Sequence, residues 1–111
     1  AWVAKAEQLL QAQNHTTYRG GHMTFSSLFA ETREMMAVWH QAGLLSVDME
    51  TATTLSVAAQ FEMPALSLLV VWDALTRGKR FLDPMSEAEL AALNRANQSV
   101  YEVALELVTQ L

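Results

Sequence analysis

Two short apolar runs, each followed by a carboxylate, stand out in the hydrophobic pattern of the chain. The first covers residues 44–47 and leads to Glu50, and the second covers residues 65–72 and leads directly to Asp73. Runs that are apolar on both faces are typical of parallel strands covered by helices on each side. Because ligands bind outside the carboxyl ends of such strands, we expect Glu50 and Asp73 to lie where this architecture places its chemistry.

Helical patterns surround the two runs. Residues 2–13 are amphipathic, and Thr32 is expected to cap a helix that runs to Ala42. A further helical pattern covers residues 51–61. Ser86 and Glu89 form a capping-box pattern at the start of a long last helix. One face of that helix is predicted to turn inward, with the residues Leu90, Leu93, Val100, Ala104, Leu107 and Leu111.

A weaker strand pattern precedes the second helix. Residues 16–25 favour a strand, but the pair Gly20-Gly21 interrupts them, which indicates a bulge or a close approach of the backbone to a ligand. Helices and strands therefore alternate along the chain, which predicts an α/β fold with a layered sheet and flanking helices. Three apolar strands would leave long open edges, so we expect the sheet to be incomplete.

Composition narrows the class of function. The 111 residues predict a single domain, and the formal charge of -5 without a basic stripe argues against binding to nucleic acid. There is no cysteine, which excludes a disulfide framework and fits a reducing cytoplasm. No apolar run is long enough to span a membrane. The three histidines lack the spacing of metal ligands, so we expect no metal site, and we predict no Ser-His-Asp triad.

Three blocks of residues resemble the nucleoside phosphorylase and nucleosidase superfamily, which includes purine nucleoside phosphorylase-like and uridine phosphorylase-like enzymes. Residues 47–52, Val-Asp-Met-Glu-Thr-Ala, resemble its Met-Glu signature, and residues 69–73 look like its next strand, which usually ends in Ser-Asp. Residues 26–29 are similar to a loop of small residues before an aromatic ring. Family members are roughly twice this length, so the resemblance implies that residues 1–111 are an incomplete domain, the C-terminal half of the fold.

The resemblance also implies roles for five residues. Glu50 would hold the 2′ and 3′ hydroxyls of a ribose, and Met49 would pack beneath the sugar. Val47 would form a wall of the base pocket, and Phe29 would stack on the base. Asp73 would be the acid that donates a proton or a hydrogen bond to N7 of a departing purine. Read without the resemblance, Glu50 is an acidic residue in the first turn of a helix, Asp73 a cap or turn residue, and Phe29 a core or interface residue.

Two features leave the substrate open. The densest positive charge, Arg77, Lys79 and Arg80, is either a solvated loop or an anion contact. Trp72 stands where the family usually has a small serine, and Ser27 stands where an aspartate is common.

The resemblance thus implies an enzyme that cleaves the N-glycosidic bond of a purine nucleoside by phosphorolysis, in nucleoside salvage. Phosphate would be the co-substrate, and no other cofactor is expected. We expect a cytoplasmic protein whose partners are a small nucleoside and either further copies of itself or a missing N-terminal half. The alternatives are a hydrolytic nucleosidase and a non-catalytic fragment or interaction subunit that keeps the fold.

Overall fold

The computed structural model of the chain describes residues 1–110, apart from the side chain of Leu28. Two compact units are formed, which we call the helical unit (Ala1–Tyr18 with Leu68–Leu111) and the sheet unit (Arg19–Ser67). The described residues contain four α-helices and one two-stranded sheet, so the predicted α/β class is confirmed. In chain order the elements are α1 (Trp2–Ala12), β1 (Gly21–Thr24), α2 (Arg33–Gln41), β2 (Leu44–Asp48), α3 (Thr51–Gln60) and α4 (Glu87–Thr109), with short 3₁₀ turns at Leu28–Ala30 and Leu75–Arg77.

The sheet unit is built on the parallel pair β1 and β2. Its register slips by one residue: Gly21 lies opposite Leu44, but His22 lies opposite Ser46, so Leu45 is an extra residue of β2. The bulge predicted from the glycine pair is therefore confirmed. A Cβ atom on Gly20 would lie 2.4 Å from a terminal methyl carbon of Leu45, so the close approach at this position comes from a side chain of the sheet unit.

The ends of the predicted helices are also confirmed. The Thr32 hydroxyl accepts the backbone N–H of Met35 at 3.2 Å and caps α2. Gly43 follows that helix with a φ of 83°, a left-handed conformation that glycine adopts without strain. At α4, Ser86 and Glu89 each accept the backbone N–H of the other, at 3.2 Å and 2.8 Å, and complete the capping box.

The second predicted strand is wrong. Residues 63–73 form neither a helix nor a strand, and the sheet of the described residues has two strands instead of three. An apolar run predicts burial, but a strand also needs a neighbour that exchanges backbone hydrogen bonds with it. Among the described residues, β1 and β2 pair with each other and no ladder includes residues 65–72. Trp72, the last residue of this run, is 52% exposed.

The helical unit holds the buried apolar side chains of the described residues. Helices α1 and α4 pack against each other and bury Ala6, Leu93, Val103 and Leu107. The stripe predicted on α4 is partly wrong, because Leu90 is 50% exposed. Ser99 is buried instead and bonds the His15 ring at 2.7 Å, a pairing that hydrophobic spacing could not predict. Leu111, the last residue of the predicted stripe, lies outside the described residues.

The sheet unit, by contrast, has little apolar core of its own. Among its described side chains, only Thr51 is buried. The rings of Phe25 and Trp39 meet edge to face, with centroids 5.2 Å apart, and both residues remain half-buried. Hydrogen bonds at the carboxyl ends of the strands therefore have a large share in holding this unit together.

Candidate functional site

Asp48 is the point where both strands and the following helix meet. It is the last residue of β2, opposite Thr24, the last residue of β1. Its carboxylate accepts the Thr24 hydroxyl at 2.9 Å and the backbone N–H of Thr51, the first residue of α3, at 3.0 Å and 3.2 Å. The Thr51 hydroxyl also donates to it. Asp48 therefore caps α3 from two residues before the N-cap position, which Glu50 occupies.

A histidine and a serine extend this group across the sheet. Nε2 of His22 lies 2.8 Å from the Asp48 carboxylate, and Nδ1 of His22 lies 2.7 Å from the Ser46 hydroxyl. The Thr24 hydroxyl accepts the backbone N–H of Ala52 at 2.8 Å. Side chains of both strands therefore satisfy two of the amide groups that the start of a helix leaves unpaired.

These contacts stabilise the charged form of Asp48. Partial burial by itself disfavours the carboxylate, but hydrogen bonds from Thr51, His22 and Thr24 outweigh it, so the pKa of Asp48 lies well below its usual range. Sequence analysis did not single out Asp48, His22 or Thr24. Polar residues alternate along both strands and could have indicated this group. Which of them face each other can be worked out only when the register, including the bulge, is known.

Glu50 stands beside this network without joining it. It is exposed, its φ and ψ are -131° and -28°, and it makes no side-chain cap to α3. No hydrogen bond or ion pair to its carboxylate occurs within residues 1–110. As the N-cap residue of α3, Glu50 carries its charge at the positive end of the helix dipole, which agrees with the explanation that needs no ligand, and its carboxylate accepts no hydrogen bond from the described residues.

The other predicted substrate-binding residues also belong to the sheet unit. Met49 is 41% exposed and Val47 is half-buried, so both offer apolar surface next to Glu50. Phe29 lies in the 3₁₀ turn Leu28–Ala30 and is 99% exposed, which excludes a core role for its ring within the sheet unit.

Asp73 belongs to the helical unit, at the entrance to a tight turn. Ala74 and Lys79 close this turn by a pair of backbone hydrogen bonds of 3.0 Å and 3.1 Å. The half-buried Asp73 carboxylate accepts the backbone N–H of Phe81 through Oδ2 at 3.2 Å. Its Oδ1 accepts no hydrogen bond within the described part of the chain.

The three basic residues of the same turn differ in their contacts. Lys79 forms an ion pair with Glu89, which lowers the pKa of that carboxyl to about 2, with help from the Ser86 amide. Arg77 and Arg80 are exposed. Of the three, these two arginines are thus the ones whose side chains are open to an anion.

The described residues form neither a metal site nor a membrane-spanning helix. No group of three His, Asp, Glu or Cys side chains among residues 1–110 is placed to hold a metal ion. No helix in that part of the chain has the length and apolar character needed to cross a membrane.

Comparisons with known proteins show which family the chain resembles. The family model described as "Phosphorylase superfamily" matches residues 1–109. A purine nucleoside phosphorylase DeoD-type of Alkaliphilus metalliredigens is 35% identical over 76 residues, which are 68% of this chain and 33% of that protein. Proteins of the same name from Caldanaerobacter subterraneus and from a Thermoanaerobacter species are 33% and 32% identical over 60 residues, 54% of this chain and 26% of each relative.

The chain thus matches about a third or less of the length of these relatives. No solved structure matches it significantly. The family model nonetheless covers nearly every residue, and the α/β architecture is consistent with a nucleoside phosphorylase-type fold. The chain is therefore a member of the phosphorylase superfamily.

Proposed function

We propose that this chain forms the nucleoside-binding part of an enzyme that cleaves the N-glycosidic bond of a purine nucleoside, with phosphate as the attacking co-substrate. The observation that carries the proposal is the carboxylate of Glu50. It follows β2 directly, stands at the start of α3, and has no partner among the described residues. The names of the curated relatives, purine nucleoside phosphorylases, support the same activity.

The sugar is the first half of the chemistry. As the glycosidic bond breaks, the ribose gains positive charge and must be held in one orientation. Glu50 accepts hydrogen bonds from the 2′ and 3′ hydroxyls, and such charge-assisted bonds are short and strong. The exposed apolar surface of Met49 packs beneath the ring, Val47 lines the base pocket, and Phe29 stacks on the base.

The departing base is the second half. It leaves with negative charge, which an acid at N7 of a purine neutralises. Asp73 carries this role in protonated form, and the oxygen that does not bind the Phe81 amide is the one that donates. Pyrimidines have no N7, so this assignment favours purine nucleosides over uridine.

The phosphate site is only partly supplied by this chain. Arg77 and Arg80 are candidate anion contacts, whereas Lys79 is engaged by Glu89. We assign the main phosphate-binding residues to an N-terminal half of the fold or to neighbouring copies in a homo-oligomer. Phosphate is the co-substrate of this reaction, which requires no other cofactor, and nucleoside salvage in the cytoplasm is its setting.

Product analysis of the intact protein tests the proposal. With inosine, we expect release of hypoxanthine and ribose 1-phosphate that depends on added phosphate, and lower turnover of uridine. Glu50→Ala should reduce kcat/KM by about 100-fold or more, because a charge-assisted bond pair is lost. Glu34→Gln, which changes an exposed acidic residue of the same unit, is the matched control and should leave turnover unchanged. Retained activity in Glu50→Ala, or a preference for uridine, would contradict the proposal.

Two other functions have distinct outcomes. Release of free ribose without phosphate would indicate a hydrolytic nucleosidase. A non-catalytic interaction subunit is favoured by one observation, namely that the described side chains of the sheet unit bury no apolar residue while Leu45, Val57 and Phe61 are more than half exposed. That function predicts no inosine binding by calorimetry and strong association of the 111-residue chain in sedimentation experiments.

A further inference from the structure

We infer that Asp48 is a positioning residue that holds Glu50 in the orientation that receives the ribose, and that it does not bind substrate itself. This inference rests on the proposed function of Glu50. It assigns a role to a residue that sequence analysis passed over.

Asp48 closes a hydrogen-bonded ring at the start of α3. Its carboxylate accepts both the backbone N–H and the hydroxyl of Thr51, three residues further along the chain. Met49 and Glu50 are the two residues inside this ring. Glu50 has neither helical nor extended backbone angles, so its side-chain direction depends on the ring that encloses it.

Asp48 is itself held by β1. The Thr24 hydroxyl of β1 donates to its carboxylate at 2.9 Å. Nε2 of His22, two residues earlier in the same strand, lies 2.8 Å from the same carboxylate. The hydroxyl of Thr24 also accepts the Ala52 amide at 2.8 Å, so β1 reaches the start of α3 as well. The direction of Glu50 is therefore set by the sheet rather than by the local chain alone.

The carboxylates of Asp48 and Glu50 differ in how many of their acceptor positions are used. An ionised carboxylate has about four acceptor positions. Asp48 accepts three hydrogen bonds from Thr51 and Thr24, and Nε2 of His22 lies 2.8 Å from the same oxygen that accepts the Thr24 hydroxyl, so little of this carboxylate is left for a sugar hydroxyl. The acceptor positions of Glu50 are unoccupied by the described residues. Asp48 therefore stabilises the fold, whereas Glu50 is available to the ligand.

Substrate preference in the intact protein gives the test. Inosine carries the 2′ and 3′ hydroxyls that Glu50 holds, and 2′,3′-dideoxyinosine lacks them. Asp48→Asn replaces an acceptor oxygen by an NH₂ group that faces donors, so the ring around Glu50 loosens. We expect kcat/KM for inosine to fall about 10- to 100-fold, as misplacement of a binding group causes, and kcat/KM for the dideoxy substrate to change less than about threefold.

A double variant shows whether Asp48 acts through Glu50. In a Glu50→Ala background, Asp48→Asn should cause no further loss with inosine, because the group that it positions is gone. Equal losses on the two substrates, or additive losses in the double variant, would overturn the positioning role and leave the proposed function intact. A wild-type protein that treats both substrates alike would overturn the role proposed for Glu50 and this inference with it.

A second pair of variants covers the case in which Asp48→Asn fails to fold. Thr24→Val removes the hydroxyl that joins Asp48 to the Ala52 amide and keeps the shape of the side chain, whereas Thr24→Ser keeps the hydroxyl. We expect the valine variant to lose inosine preference in the same way and the serine variant to retain it. The same loss in both variants would contradict the inference.

Discussion

Asp48 and Thr51 are joined through both the backbone and the side chain of the threonine: the Asp48 carboxylate accepts the Thr51 amide at 3.0 Å and also its hydroxyl. Through this pair, the last residue of β2 is hydrogen-bonded directly to the first residue of α3. Helix capping and strand pairing are therefore linked at the residue that precedes Met49 and Glu50 in the chain.

Asp48→Ala should destabilise the protein. The change removes a helix cap and leaves the Thr24 hydroxyl and the His22 ring without their acceptor, which together correspond to a loss of about 1–3 kcal/mol in the free energy of unfolding. Urea denaturation of the intact protein measures it. Glu50→Ala is the control two residues away and should stay within about 0.5 kcal/mol, since its carboxylate bonds nothing among the described residues. Equal effects of the two variants would contradict the account of capping.

Acid stability should depend on the same carboxyl. The pKa of Asp48 is below its ordinary value of 3.8 in the folded state, so its stabilisation is complete above about pH 4 and is lost as the pH falls below that value. Asp48→Asn should therefore flatten the decline in unfolding free energy between about pH 5 and pH 2. Glu89, whose pKa is about 2, acts in the same direction, so Glu89→Gln should flatten the curve further. If the unfolding free energy declines equally at low pH in wild type and in Asp48→Asn, Asp48 is not the source of the acid sensitivity.

Gly20→Ala should strain the sheet unit. The new Cβ would meet Cδ1 of Leu45 at 2.4 Å and its Cγ at 2.8 Å, both too close for real contacts. Because Leu45 is 57% exposed, its side chain can rotate away at a modest cost, so we expect a loss of at most about 1 kcal/mol in the free energy of unfolding. The second substitution Leu45→Ala removes the obstructing atoms, so the double variant should recover most of the loss. Thermal unfolding of the four proteins completes the cycle, and strict additivity would exclude Leu45 as the source of strain.

Ser86→Ala should weaken the start of α4. Its hydroxyl accepts the Glu89 amide, and loss of such a cap lowers stability by about 1 kcal/mol. The buried side chains of α4 begin one turn later, at Leu93, so fraying should reach the helical unit's core. Hydrogen exchange at the amides of residues 87–90 is the measurement. Ser56→Ala, an exposed change in α3, is the control. Unchanged hydrogen exchange in Ser86→Ala would show that the capping box does not stabilise the start of α4.

Asp73→Asn should slow the chemical step on purine nucleosides. An amide cannot deliver a proton to N7, so kcat for inosine should fall by roughly 10²–10⁴, the usual range for a general acid. Binding of inosine should change little. A nucleoside with a good leaving group, such as a nitrophenyl riboside, needs no acid and should be cleaved at nearly the wild-type rate. Equal losses with both substrates would show that Asp73 serves the turn rather than the base.

Much of the local structure could be predicted from the sequence. The helices α1, α2, α3 and α4 begin within about a residue of the positions that the cap residues and apolar spacing indicate. Such features depend on interactions within a few residues. The glycine pair likewise identified the bulge, because only a few backbone arrangements need two adjacent residues without side chains.

What could not be predicted depends on partners distant in sequence. Residues 65–72 have the composition of a strand, but pairing is a property of two segments, and none of the described residues supplies the second one. His22 and Thr24 meet Asp48 across 26 and 24 positions of the chain. A family pattern directed attention to Glu50, whereas the residue with the most hydrogen bonds lay two positions earlier.

The bulge at the extra residue Leu45 determines which side chains of β1 and β2 lie opposite each other. Side chains in a strand alternate between two sides, so every residue that follows an insertion changes sides relative to its partner strand. Because Leu45 stands outside the pairing, Ser46 and Asp48 lie opposite His22 and Thr24; if Leu45 were itself paired with His22, Asp48 would lie opposite Phe25. The polar group at this end of the sheet thus depends on the register after the bulge: deletion of Leu45 should leave it in place, deletion of Val47 should move Asp48 opposite Met23 and abolish it, and a compensating deletion of Met23 in β1 should restore it.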